Sequence, residues 1–249
     1  MKNKIIILFL FLTFPVISVM AQTIKSQVII ISTIHGAHKV NPNYSYDSLY
    51  VFIEKFNPDI IGVEIRKEDI DSSASYLKNN YPFEMYECIT KYSSKKIFGF
   101  DWLGDDIAGK AIPENYWKEK SIIKKLQQKL SNDSILQQKL SILGIIQEEK
   151  KKLVLNASLT ELNDGRYDLI NRIYYEQLNL LLRKTEFEPL SDFYKKRDEM
   201  IAENILEIIK NNEGKKMIFL IGADHRDNTL KKLSEELEQT IILNYFKQY

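Results

Sequence analysis

The chain has 249 residues, 44% of them apolar and 28% charged, and Lys and Arg balance Asp and Glu to a net charge of +1. That is enough apolar residue and length for one full buried core, with no Pro/Gly/Ser-rich linker dividing it. The near-zero balance gives no general attraction for nucleic acid or an anionic membrane, and the single cysteine, Cys88, excludes an intramolecular disulfide scaffold.

Residues 1–21 read as a secretory signal peptide. Lys2 and Lys4 form a basic head, an apolar run follows to Val19, and Val19-Met20-Ala21 has the residue sizes that precede a cleavage site. The run is shorter than the ~20 residues of a spanning helix and contains Pro15, so no stable membrane span is expected after cleavage. Removing Lys2 and Lys4 takes the net charge from +1 to −1. Export with one thiol suits a periplasmic or secreted protein.

Residues 22–249 are expected to form a single α/β domain. Val28 to Thr33 and Ile60 to Val63 are nearly continuous β-branched runs, the pattern of strands buried on both faces of a parallel sheet. Between them Leu49, Ile53 and Phe56 recur at helical spacing, and Asn57-Pro58 ends that helix. A third strand is predicted over 97–100. From about 105 to 210 no β-branched run occurs, and helices are predicted over 114–130, 134–154, 159–184 and 191–210. A strand over 216–222, a helix over 228–238 and a final strand over 240–245 complete the chain. The expected fold is therefore a mostly parallel sheet flanked by helices, with a large helical insertion between the third strand and the C-terminal strands.

His35, Glu64, Asp101 and His225 each fall at or just past a strand-like run. Ligands of open α/β sheets bind outside the carboxyl ends of the strands, so four such residues suggest one converging site. Simpler readings stand beside this one. His35 and His38 suit loop histidines bonded to backbone. Glu64 suits an ion pair with Arg66 or Arg197, and Asp101 a turn carboxylate. Asp224 suits a carboxylate orienting a nearby imidazole. Arg197 lies on the apolar stripe of the 191–210 helix, where a guanidinium needs an acidic partner such as Asp192. Imidazole and carboxylate are the usual ligands of a catalytic divalent metal, and a set of His35, Glu64 and His225 leaves an open position for water. Glu64 would then be either ligand or general base, and Asp101 and Arg197 would serve catalysis as an added ligand or water-orienting group and as a substrate clamp.

Ser32-Thr33-Ile34-His35 and Gly222-Ala223-Asp224-His225 resemble the paired G-x-x-H motifs of the superfamily that includes the TraB/GumN/Tiki proteins, the erythromycin-esterase-like proteins and the ChaN-like haem-binding proteins. The stretch from Pro58 to Glu64 is similar to that family's second-strand signature, and Arg197 to Ala202 to the helix before its last motif. Ser32 stands where the family usually has glycine. The resemblance implies an α/β fold with a helical insert. It also implies a metal-dependent peptidase with His35, Glu64 and His225 at the matching positions, the metal being zinc, manganese or cobalt. Other members are esterases or haem binders, so a periplasmic haem- or small-ligand-binding protein and a metal-free esterase-like hydrolase remain alternatives, with a small molecule or peptide as substrate. No G-x-S-x-G nucleophile elbow occurs.

Overall fold

Strands β1 (Gln27–Thr33), β2 (Ile60–Arg66), β3 (Lys96–Asp101), β4 (Lys216–Gly222) and the two-residue β5 (Ile241–Ile242) make one sheet in the order β3-β2-β4-β1-β5, every pair parallel. The computed structural model describes residues 25–237 and 241–242. The expected signal segment 1–21 and the rest of the expected 240–245 strand lie outside the described residues.

β1, β2 and β4 are buried on both faces, as their apolar runs predict, and alternate residues feed two separate cores. Ile29, Ile31, Ile61, Val63, Ile218 and Leu220 pack on one face, with Leu49 and Ile53 of α1 (Tyr46–Phe56) and with Met85 and Cys88 of α3 (Phe83–Lys91), which follows α2 (Ala74–Asn80). Val28, Ile30, Ile60, Met217, Phe219 and Ile221 pack on the other. Their partners there are Ile201, Ile205 and Ile209 of α9 (Glu188–Lys210) and Leu233 of α10 (Ala223–Glu236). Gly62 is needed at its position in β2, because a Cβ there would overlap the Phe219 ring.

β4 lies between β1 and β2. The chain leaves β1 and β2 toward the face covered by α1 and α3, but leaves β4 toward the face covered by α9 and α10. Neighbouring strands whose connections depart to opposite faces open a crevice at their carboxyl ends. The ends of β1, β2 and β4 therefore border one crevice.

The helical insertion lies between β3 and β4 as expected, in more pieces than the spacing predicts. The expected 114–130 helix divides into a π-turn (Tyr116–Lys120) and α4 (Ile122–Asn132), because Ser121 accepts from the Lys124 N–H and caps a new start. The 134–154 helix divides into α5 (Ser134–Leu140), a 3-10 turn and α6 (Gly144–Asn156). The 159–184 helix divides into α7 (Leu159–Leu162) and α8 (Arg166–Leu182) at Asn163-Asp164-Gly165, where Gly165 has φ 101°. α9 starts at Glu188 rather than at 191, with Pro189 in its first turn, where its missing N–H costs nothing. The last helix starts at Ala223 rather than 228, directly from β4.

Candidate functional site

His35 leaves β1 in a short 3-10 turn with φ 49°, a left-handed backbone uncommon for a residue with a side chain. Its carbonyl accepts from the Tyr46 hydroxyl at 3.1 Å. Its Nδ1 lies 2.7 Å from Glu84 Oε1 on α3. Glu84 is fully buried, and its other oxygen has no hydrogen-bond partner among the described residues. His225, in the first turn of α10, is arranged the same way: its Nδ1 lies 2.5 Å from Asp198 Oδ1 on α9. Asp198 is in turn held by the Asn228 amide. Each carboxylate fixes the ring and assigns the proton to Nδ1, which leaves Nε2 as the free nitrogen.

Both rings line one opening beside Glu64. A Cβ on Gly222 would stand 3.0 Å from His35 Nε2 and 3.1 Å from Glu64 Oε2, so glycine keeps the space between them open. His225 Nε2 is 3.7 Å from Glu64 Oε1. An opening of about 210 Å³ reaches this point, walled by His35, His225, Ala223, Tyr167 and Val154. A larger one of about 560 Å³ lies around Arg226 and Asp168, and neither His35 nor His225 lines it.

Glu64 is inside β2 and 5% exposed. Oε2 accepts from the Gly222 N–H, and Oε1 accepts from Arg197 Nη2 at 2.8 Å. Arg197 also binds Asp101, with Nε to Oδ1 at 3.0 Å and Nη2 to Oδ2 at 3.1 Å. The sequence therefore placed Arg197 correctly on a buried stripe needing an acid. The acids are Glu64 and Asp101 from two strands, not Asp192 from its own helix. Arg66 does not pair with Glu64: β2 shifts register after Val63, and Arg66 binds Asp69 and the carbonyls of Ile107 and Lys110. His38 is buried and backbone-bonded, accepting from the Ile34 N–H and sharing Nδ1 with the Tyr44 carbonyl.

Asp224 does not orient an imidazole. It accepts from the Tyr167 hydroxyl at 2.5 Å and pairs with Lys150 of α6 at 2.9 Å. The Lys150 ammonium is also within 5.5 Å of the ring centroids of Tyr167, Tyr174 and Tyr175. The orienting carboxylates are Glu84 and Asp198, neither of which stands at a strand end. Both lie on buried helix faces, Glu84 beside Met85 and Cys88 and Asp198 three residues before Ile201. A carboxylate on an apolar stripe was the available signal.

Four buried carboxylates, Glu64, Glu84, Asp101 and Asp198, surround the crevice. Arg197 is the only Lys or Arg bonded to any of them among the described residues. The imbalance shifts the protonation of these groups. Burial lowers the His35 pKa, but the Glu84 bond and the nearby Glu64 charge outweigh it and hold it above the ordinary value. Burial and Arg197 lower that of His225, and Glu64 with Asp198 raise it further, again to a net increase. Burial pushes Asp101 up to about 6 despite its arginine partner, with the Glu64 charge adding to the rise. Glu64 stays below the usual range: burial opposes this, and His225, Arg197, His35 and the Gly222 N–H overcome it.

Excess buried negative charge, with two imidazole nitrogens free, is a donor set suited to a divalent cation. His35 and His225 meet that requirement directly. Glu64 has both oxygens engaged, and among the described residues no three His, Cys, Asp or Glu side chains are arranged to hold a metal ion. Compared with protein-family models, curated proteins and solved structures, the chain gave no match.

Proposed function

We propose that the chain is a metal-dependent hydrolase of the peptidase type, akin to the TraB/GumN/Tiki proteins, acting on a small molecule or peptide at the carboxyl ends of β1, β2 and β4. One observation carries the reading. Two imidazoles, each with Nδ1 held by a buried carboxylate, line one opening, His35 Nε2 beside Gly222 and His225 Nε2 3.7 Å from Glu64, with too few cations to balance the carboxylates.

In this reading His35, His225 and Glu64 hold a divalent ion such as zinc, manganese or cobalt. When bound, such an ion lowers the pKa of water and polarises a carbonyl. Glu84 and Asp198 fix the two rings. Asp101 and Glu64 position Arg197, whose Nη1 makes no hydrogen bond among the described residues and is available to a substrate carboxylate or oxyanion. Tyr167 and Val154 wall one side of the opening and would limit the group that enters. Export rests on the basic head and apolar run of residues 1–21.

The engagement of both Glu64 oxygens favours a second reading, a metal-free hydrolase in which a carboxylate-held imidazole is the general base. Turnover of model peptides and esters separates the two. The metal-dependent reading predicts activity that chelation abolishes, that divalent metal restores, and that His35→Ala and His225→Ala both lack. Activity unaffected by exhaustive chelation contradicts it and supports the general-base reading.

A further inference from the structure

The segment from Tyr116 to Ile145 departs from the rest of the chain in charge and in exposure. It contains six lysines, Lys118, Lys120, Lys124, Lys125, Lys129 and Lys139, against Glu119 and Asp133, in a sequence otherwise balanced between the signs. Asp133 is further occupied as the cap of α5, accepting from the Ile135 and Leu136 N–H groups. Among the described residues only Lys129 of the six lysines has a carboxylate partner, Glu186.

Ile122, Ile135, Ile142 and Ile145 of the same segment are 66%, 69%, 70% and 77% exposed. The inner faces are accounted for separately. Ile123, Leu126 and Leu130 of α4 and Leu136 and Leu140 of α5 pack on a small core with Leu182, Phe187 and Leu190. The outward isoleucines take no part in it. Ile135 and Lys139 stand four residues apart on one face of α5, and Ile142 follows in the 3-10 turn after it. Neither α4 nor α6 buries any residue completely, so this layer has apolar side chains that the protein interior does not cover.

Isoleucines interleaved with unpaired lysines on short helices match one kind of surface. Protein interfaces are depleted of lysine, whereas interfacial helices press apolar residues among acyl chains while lysines reach the headgroups. No helix among the described residues is long and apolar enough to cross a membrane, so contact would be in the plane of the surface. We propose that the outward face of residues 116–145 docks on anionic lipid headgroups, with Ile122, Ile135, Ile142 and Ile145 entering the interface and the unpaired lysines meeting the negative charge.

The test is co-sedimentation of the full chain with vesicles, either phosphatidylglycerol mixed with phosphatidylcholine or phosphatidylcholine alone. The apolar run of residues 1–21 is shared by all variants, so comparing variants removes its contribution. Ile135→Ser combined with Ile142→Ser is expected to weaken binding to the anionic vesicles by roughly tenfold or more. Lys124→Gln combined with Lys125→Gln is expected to weaken it at low salt and to matter less at high salt. Circular dichroism should show both variants folded, since the altered side chains are exposed. Wild-type binding by both variants, or equal binding to the two vesicle types, would overturn the proposal. So would a wild-type dimer that the isoleucine variant converts to monomer without any change in vesicle binding.

Discussion

At the carboxyl end of the sheet, Glu64, Asp101, Asp198, Glu84, Arg197 and two imidazoles are bonded to one another across β2, β3, α3, α9 and α10. In α4 to α6 no charged residue is fully buried, and isoleucines stand in solvent. The first region is a network in which each group answers another far along the chain: Arg197 and Glu64 are 133 residues apart. In the second, most bonds are local, such as the Asp133 cap of α5 and the pair between Lys152 and Glu149. Removing one member of the network strands its partner in low dielectric, whereas an exposed helix residue leaves little behind.

That contrast predicts a steep hierarchy of substitutions. Arg197→Ala should be the most damaging, at about 3–5 kcal/mol by denaturant unfolding, because it leaves Glu64 and Asp101 buried without their cation. An equal loss from Lys124→Ala would break the comparison. Next, Asp198→Asn keeps the shape beside His225 but removes the charge and the tautomer control. It should weaken divalent-metal affinity roughly 10- to 100-fold while changing thermal stability far less. In the insertion, Ser158→Ala removes the capping box with Glu161 at the start of α7 and should cost about 1 kcal/mol.

The smallest effects are in titration and sharpen the comparison within the site. The chain has only three histidines, so proton NMR of the metal-free protein resolves each, with His→Ala variants for assignment. Two midpoints should lie above 6.5, His35 and His225, and one below, His38, whose burial outweighs its bond to the Tyr44 carbonyl. The signs for stability are opposite. The His38 contribution is complete above 6.5 and fades as pH falls through that value. Those of His35 and His225 are complete below 6.5 and fade as pH rises through their folded values. Three midpoints near 6.5 would contradict the arrangement.

The sheet was legible because β-branched runs such as 28–31 and 60–63 have one reading when they are too short for helices and bounded by turn residues. Convergence of His35, Glu64, Asp101 and His225 was expected from strand ends sharing one side of a parallel sheet, whereas Arg197 reaches Glu64 and Asp101 from α9. Glu84 and Asp198 escaped because their roles depend on which helix faces pack against the sheet, which periodicity does not reveal. The helix breaks at Ser121, 141–143 and 163–165 escaped for a related reason. Each rests on a local cap or turn that competes with an otherwise continuous helical pattern.

Two carboxylate-held rings lining one opening is the claim on which the account turns, and metal titration of chelator-stripped protein followed by calorimetry or cobalt absorption tests it most directly. The account predicts one equivalent bound by wild type, and loss of that binding in both His35→Ala and His225→Ala but not in His38→Ala. Either no binding by folded wild-type protein, or binding that survives removal of both His35 and His225, would contradict it.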